Sequence, residues 1–343
     1  MKNALPLNLL EATRLTQAGR LVEATAAIQQ LLRRQSSSEP VNEPASGRII
    51  DAEASRVEDG QFIGASFANQ AGTRPYKLYI PPGHAGKPLP LIVMLHGCTQ
   101  TPDDFAAGTR MNSLAERRGC FVLYPAQTRA ANRSRCWNWF KRADQRRDQG
   151  EPAILAGMTR ECMRRYAIDP RRVYVAGLSA GGAMAAVLAA AYPDLYAAAG
   201  VHSGLAVGSA HDVPSAFAAM RGTPGRGAGR KRARGGVPVI VFHGDRDTTV
   251  HPRNGEQVIL ESADPAAASS TEQGQVPGGH AYTRTVHRDS SGRVVLEHWL
   301  VHGAGHAWSG GSPSGSYTDP KGPDATAAML RFFDQAGRTN SLP

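Results

Sequence analysis

Hydrophobic residues in this chain are concentrated in short, nearly continuous runs separated by polar and glycine-rich stretches. An apolar run of four to eight residues is typical of a strand buried on both faces of a parallel sheet. One earlier segment alternates between apolar and polar residues, as a half-buried strand does. The pattern predicts strands over residues 74–80, 89–95, 120–124, 173–178, 196–202, 237–242 and 294–301.

Segments with helical character lie between several of these predicted strands. They cover residues 103–118, residues 152–166 with Pro152 at the start, an alanine-rich stretch after Ser179, and residues 324–336. Strands that alternate with helices in this way favour an α/β fold, with a mostly parallel central sheet covered by helices on both faces. In such sheets, functional residues lie in the loops at the carboxyl ends of the strands.

The first sixty residues differ from the rest of the chain. Residues 1–35 carry leucine and isoleucine at helical spacing, interrupted by Gly19, which predicts one or two amphipathic helices. Their apolar stripe could pack against the main body, which is the expected arrangement, or against a partner. Residues 36–60 are polar, contain two prolines and show no periodicity, as a flexible linker does. Residues 61–343 are then expected to form the main domain.

Composition excludes some classes of protein. No apolar run reaches the roughly 18 residues that a membrane span requires, so no membrane-spanning segment is expected. The N-terminus has a short apolar patch soon followed by Glu11 and Arg14, and it shows no secretory signal. Four cysteines without a CxxC pair indicate neither a disulfide scaffold nor a zinc site.

The net charge of +10 comes largely from one stretch. Residues 221–236 are rich in glycine and carry six basic and no acidic residues, and without those six charges the chain carries +4. The favoured interpretation is a flexible, solvated loop, and a polyanion-binding arm is the alternative. Nucleic acid is therefore not an expected partner. If these residues did bind a polyanion, deletion of residues 221–236 would abolish that binding.

Small residues surround one serine at the end of a predicted strand, in the order Gly177-Leu178-Ser179-Ala180-Gly181. Glycine tolerates backbone angles that other residues resist and removes Cβ atoms that would prevent close packing of a strand against a helix. A solvated turn could show the same residues. In a strand–turn–helix context, however, Gly-x-Ser-x-Gly is the nucleophile elbow of α/β-hydrolases.

A serine hydroxyl becomes a good nucleophile only when a base removes its proton and a carboxylate orients that base. Ser179, Asp247 and His306 follow each other in the chain order of the α/β-hydrolase triad, and we predict them as nucleophile, orienting acid and general base. Asp245 competes with Asp247, although its place in the tight turn suits it to capping the backbone.

Among the histidines, His302 competes with His306 in the same glycine-rich loop, and His306 is favoured because it lies further out. His243 and His298 are expected to be structural. The oxyanion of the intermediate needs two N–H donors, for which we predict the backbone amides of Cys98 and Ala180. This mechanism needs no metal or other cofactor.

Five ordered motifs together resemble the polyhydroxybutyrate depolymerase family of esterases, which also includes feruloyl and acetylxylan esterases. The motifs are His96-Gly-Cys-Thr-Gln, Cys136-Trp-Asn-Trp-Phe, Gly177-Leu-Ser-Ala-Gly-Gly, His243-Gly-Asp-Arg-Asp and Gly305-His-Ala-Trp. The resemblance covers roughly residues 71–336 and implies an α/β-hydrolase fold and a serine esterase. It implies the same triad, with the second aspartate of Gly-Asp-x-Asp as the acid.

The resemblance further implies that Trp308, Trp137 and Trp139 line the substrate cleft, although packing residues would look the same in the sequence. If the protein is exported, Cys98 and Cys136 are the preferred disulfide pair, because both lie in segments placed near the site. Members of the family are largely exported, whereas the missing signal leaves a cytoplasmic location open.

The expected substrate is a small or oligomeric ester. Polymer-degrading members of the family carry a signal peptide and a separate binding domain, neither of which is visible here, so soluble esters or oligomers are expected. Hydroxyalkanoate esters and feruloyl or acetyl esters are rival substrates within this interpretation. A serine peptidase and a non-catalytic polyanion-binding protein are the further alternatives.

Overall fold

Ten strands form one sheet in the structure, a computed structural model that describes residues 60–223, 236–264 and 266–339. The predicted helices at 1–35, nearly all of the predicted linker at 36–60, and residues 224–235 of the predicted basic loop lie outside these described residues. The strands of the large sheet are β1 Gln61–Asn69, β2 Gly72–Ile80, β3 Leu89–Leu95, β4 Phe121–Pro125, β5 Ile168–Leu178, β6 Ala198–His202, β7 Val239–Gly244, β8 Ala268–Gln275, β9 Ala281–Arg288 and β10 Val294–Val301.

The strand order is β1-β2-β4-β3-β5-β6-β7-β10-β9-β8. All neighbours from β4 through β10 pair in parallel, while β1, β2, β8 and β9 pair antiparallel at the two edges. The predicted mostly parallel α/β sheet is therefore confirmed. A short second sheet pairs β11 Trp308–Ser309 with β12 Thr318–Asp319.

Helices cover both faces of this sheet. They are α1 Pro102–Thr109, α2 Met111–Arg118, α3 Gly150–Arg165, α4 Ala180–Ala191, α5 Val213–Met220, α6 Arg253–Ser262 and α7 Ala325–Thr339, with a 3₁₀ turn at Ala143–Gln145. None of the helices in the described residues is long and apolar enough to cross a membrane.

The predicted helix at 103–118 is wrong in one respect, because the chain forms two helices there. Arg110 separates α1 from α2 with a left-handed backbone, at φ 55° and ψ 22°. Its guanidinium donates to the carbonyl oxygen of Gly310 at 2.7 Å and to Asp324 at 3.0 Å, so contacts with a distant segment hold the break.

The side chains of β3 show why the central strands are continuously apolar. Leu91, Val93 and Leu95 belong to the core cluster that includes side chains of α3 and α4, whereas Ile92 and Met94 belong to the cluster that includes side chains of α1, α2 and α7. Both faces of the strand are thus removed from water, and no position is left for a polar residue.

Several elements did not show in the hydrophobic pattern. Strand β8 reads ASSTEQGQ and is exposed at nearly every position, so it has no buried face to impose alternation. It forms because it pairs with β9 along its whole length. The helices α5 and α6 are short and were also not predicted. Helix α5 lines a cavity that also contains Ser179.

Candidate active site

Four loops at the carboxyl ends of parallel strands bring the predicted site residues to one edge of the sheet. Cys98 follows β3, Ser179 follows β5, Asp247 follows β7, and His306 lies beyond β10. Since β3, β5, β6, β7 and β10 are consecutive neighbours in the sheet, residues far apart in the sequence meet here.

Ser179 occupies a strained turn between β5 and α4. Its backbone angles are φ 58° and ψ −120°, a conformation that non-glycine residues rarely adopt. A Cβ atom on Gly181 would lie 2.0 Å from the carbonyl oxygen of Leu95, and one on Gly177 would lie 2.4 Å from the carbonyl carbon of Gly181. Close packing of strand against helix therefore requires both glycines and leaves Ser179 at the apex of the turn.

His306 and Asp247 are paired. The Nδ1–H of His306 donates to Oδ2 of Asp247 at 2.7 Å. The other oxygen of Asp247 accepts the backbone N–H groups of Thr249 at 2.9 Å and Val250 at 2.8 Å. These bonds fix the carboxylate, which in turn fixes the tautomer and the orientation of the His306 ring.

Electrostatics keep Asp247 ionised. Burial raises the pKa of this carboxyl, but the hydrogen bonds from His243 and His306 outweigh burial and hold the pKa well below its usual range. The nearby His243 is fully buried, and its Nε2 lies 2.8 Å from the carbonyl oxygen of Val250 and 3.4 Å from Asp247. His243 thus supports the loop of Asp247 and does not line the cavity, as expected of a structural histidine.

The competing residues Asp245 and His302 pair with each other. Nδ1 of His302 lies 3.0 Å from Asp245, and the Thr283 hydroxyl lies 2.8 Å from the other ring nitrogen. Asp245 also accepts the backbone N–H of Gly303 at 2.7 Å, which is the backbone-capping behaviour predicted for it. Neither residue lines the cavity that contains Ser179.

A cavity of about 630 Å³ opens above the turn, and Ser179 and His306 both line it. Cys98 and Ala180 also line it, and within the described residues their backbone N–H groups have no hydrogen-bond acceptor. Ala180 is the first residue of α4, where an N–H is free of intrahelical bonding. Two unused donors beside a serine are what an oxyanion needs.

Several contacts fix the loop that carries Cys98. The side chain of Gln100 accepts the N–H of Gly97 at 2.9 Å and donates to Asp104 at 2.9 Å. A disulfide joins Cys98 to Cys136, which confirms the predicted pair. The remaining cysteines, Cys120 and Cys162, are buried and free.

A buried polar cluster supports the part of the cavity lining that carries Cys136 and Trp139, and the sequence patterns did not reveal it. Glu151 accepts the backbone N–H of Asn138 at 2.7 Å and its side-chain amide at 2.8 Å, and it also contacts Gln127 and Arg74. Four donors from three separate segments converge on one carboxylate, so Glu151 holds the segment that carries Cys136 and Trp139 against the main body.

Two of the three tryptophans predicted to line the cleft do not reach it. Trp137 is fully buried and donates its indole N–H to the carbonyl oxygen of His96 at 3.1 Å. Trp308 is also buried, donates to Thr326 at 2.9 Å and stacks on His202. Their rings fill the core and their N–H groups are satisfied inside it, so the prediction is corrected for both. Trp139 does line the cavity.

Sequence reasoning missed much of the apolar wall. Phe140, Leu205, Met220 and Tyr317 line the cavity, together with Val213 and Phe217 of α5. Of these lining residues, only Phe140 belongs to one of the five sequence motifs, the Cys-Trp-Asn-Trp-Phe motif at 136–140. No cluster of three or more potential metal ligands occurs in the described parts of the chain.

The sheet order and the elbow define an α/β-hydrolase fold, and comparisons with known proteins agree. An acetyl xylan esterase from Aspergillus awamori superposes with a TM-score of 0.60 at 21% identity, covering 76% of this chain and 94% of that one. The sequence profile described as "Esterase PHB depolymerase" matches residues 74–263, which is more than half of the chain. The chain therefore belongs to this esterase family.

Curated relatives carry different names within this family. Poly(3-hydroxyalkanoate) depolymerase C of Paucimonas lemoignei is 33% identical over 252 residues, which are 68% of this chain and 59% of the relative. Feruloyl esterase B of Neurospora crassa is 29% identical over 286 residues, which are 78% of this chain and 89% of the relative. The chain thus spans about three fifths of the length of the first relative.

Proposed function

We propose that the chain is a serine esterase that hydrolyses carboxylic esters through an acyl-Ser179 intermediate. The observation that carries this proposal is the strained turn of Ser179 in one cavity with His306, whose ring is oriented by Asp247 at 2.7 Å. A hydroxyl that lines a cavity, a base with a fixed tautomer and free N–H donors are the parts that acyl transfer requires.

Each residue has one role in this mechanism. His306 takes the hydroxyl proton of Ser179 as the oxygen attacks the ester carbonyl, and Asp247 stabilises the imidazolium that forms. The N–H groups of Cys98 and Ala180 stabilise the oxyanion of the tetrahedral intermediate. His306 then gives the proton to the leaving alcohol, and in the second half it activates the water that releases the acid.

The hydrolysis of p-nitrophenyl acetate, butyrate and octanoate by the wild type and by Ser179→Ala tests the proposal. Loss of the nucleophile should lower kcat by about 10⁴- to 10⁶-fold, because His306 and Asp247 act through it. The midpoint of urea unfolding should stay near that of the wild type, which serves as the control for folding. An inactive wild type, or an active Ser179→Ala, would overturn the assignment.

Hydroxyalkanoate esters or their oligomers are the substrate class that we infer. The family of the chain and the name of the Paucimonas relative support this choice. A feruloyl or acetylxylan ester is the second candidate, favoured by the feruloyl esterase that aligns over 89% of its own length. Turnover of a 3-hydroxybutyrate trimer compared with methyl ferulate separates the two, since faster hydrolysis of methyl ferulate would favour the second.

A further inference from the structure

Exposed apolar side chains gather at the mouth of the cavity that contains Ser179. In the described parts of the chain, five large hydrophobic residues are exposed, namely Ile63, Val213, Phe217, Leu260 and Tyr317. Three of the five, Val213, Phe217 and Tyr317, line this one cavity while remaining 52%, 56% and 47% exposed. Single apolar residues scattered over a protein surface are ordinary, whereas several that gather beside a site indicate a binding surface.

Two of these residues stand on one face of a fixed helix. Val213 and Phe217 are four residues apart in α5 and are therefore neighbours on its surface. A capping box between Asp212 and Ser215 holds the start of the helix. Near the end, the side chain of Asn254 donates to the carbonyl oxygen of Ala219 at 2.9 Å. The surface is thus preformed, and a ligand need not order it.

We propose that Val213 and Phe217 bind the apolar chain of an ester whose carbonyl lies at Ser179, and that they select extended apolar esters over short acetyl esters. This inference rests on the proposed esterase function and deepens it. The occupant follows from continuity, since both side chains line the same cavity as Ser179 and His306. An extended chain that leaves Ser179 along this wall would cover hydrocarbon that is otherwise exposed to water.

The chemistry of the wall argues against a carbohydrate on this side. No Asp, Glu, Lys or Arg of the described residues lines the cavity, and the lining hydroxyl and amide side chains of Thr99, Asn132, Ser134, Thr249 and Tyr317 lie outside α5. Sugar hydroxyls need hydrogen-bond partners when they leave water, and α5 offers them only the hydrocarbon of Val213, Ala216, Phe217 and Met220. An apolar acyl or oligoester chain has no such requirement, so it is the ligand that the α5 side of the cavity suits.

The test compares chain-length selectivity in Phe217→Ser and Val213→Ser with that of the wild type. The readout is the ratio of kcat/KM for p-nitrophenyl octanoate to kcat/KM for p-nitrophenyl acetate. We expect Phe217→Ser to lower this ratio by about tenfold, a loss typical of missing hydrocarbon contact in a binding pocket, and Val213→Ser to lower it less. Phe217→Leu, which keeps an apolar side chain, should restore most of the ratio.

Leu260→Ser is the matched control, because Leu260 is 66% exposed on α6 but does not line the cavity. Its ratio should equal that of the wild type. Equal ratios in Phe217→Ser, Val213→Ser and Leu260→Ser would overturn the inference, as would an equal loss on both esters in Phe217→Ser. If the wild type hydrolyses neither ester, the proposed function itself fails, which is a different result from an active enzyme with an unchanged ratio.

Discussion

The aspartates of two Asp–His pairs lie two residues apart after β7, their histidines lie four residues apart after β10, and burial distinguishes the two pairs. The side chain of Asp247 is completely buried, and the side chain of His306 is 12% exposed. The side chains of Asp245 and His302 are 34% and 38% exposed. A charge interaction is stronger where water is excluded, so only the first pair can stabilise an imidazolium strongly during a reaction.

Replacing each aspartate by asparagine separates the two roles. Asp247→Asn should lower kcat by about 10⁴-fold. The amide can donate to Nδ1 of His306, which leaves the ring proton on Nε2, the nitrogen that has to accept the serine proton, and the amide supplies no charge. Asp245→Asn is the matched control and should keep kcat within a few fold, since its partners are His302 and the N–H of Gly303. Steady-state kinetics on p-nitrophenyl butyrate provides the measurement. A larger loss in Asp245→Asn than in Asp247→Asn would reverse the assignment.

At the scale of elements, the turn between β5 and α4 depends on backbone approaching backbone. The helix begins one residue after Ser179 and lies so close to β3 that a Cβ on Gly181 would lie 2.0 Å from the oxygen of Leu95 and 2.6 Å from that of His96. Both neighbours are main-chain atoms of buried residues at the carboxyl end of β3, and they cannot move aside as the end of a flexible side chain can.

Gly181→Ala should therefore destabilise the fold by about 3 kcal/mol or more, at the upper end of what overpacking costs. Gly64→Ala is the control, since a Cβ at this position on β1 would meet no atom within 4 Å. It should change the free energy of unfolding by less than about 0.5 kcal/mol. Urea unfolding of both variants checks the prediction. Similar midpoints would contradict it, because they would show that α4 can move away from β3 without lowering the free energy of unfolding.

At the scale of the whole molecule, the sequence predicted what periodicity and chain order encode. The buried strands around β3 and the order of Ser179, Asp247 and His306 follow directly from local patterns. The positions of Trp137 and Trp308 do not, because an aromatic residue beside a motif looks the same whether it faces the cleft or the core. Strand β8 and the contacts of Glu151 depend on distant partners, which a single sequence does not show.

Buried histidines also link the whole fold to pH. Burial lowers the pKa of His96 to about 4 and that of His202 to about 3. Geometry gives the same direction, because Nε2 of His96 accepts the N–H of Gln127 at 3.1 Å and Nε2 of His202 accepts the N–H of Ser309 at 2.9 Å. A proton on either nitrogen would place two donors face to face inside the core.

The free energy of unfolding should consequently fall as the pH drops from 6.5 to 5. In the unfolded chain both rings bind protons near pH 6.5, whereas in the folded protein they stay neutral, so acid favours the unfolded state. Each ring should contribute about 1 kcal/mol per pH unit in this window, where most carboxyl groups are still ionised.

Urea unfolding at several pH values measures the slope. His202→Gln, whose amide oxygen can accept the same N–H, should reduce it. A slope of zero in the wild type would contradict the prediction, because it would mean that these rings bind protons equally well in the folded and the unfolded state.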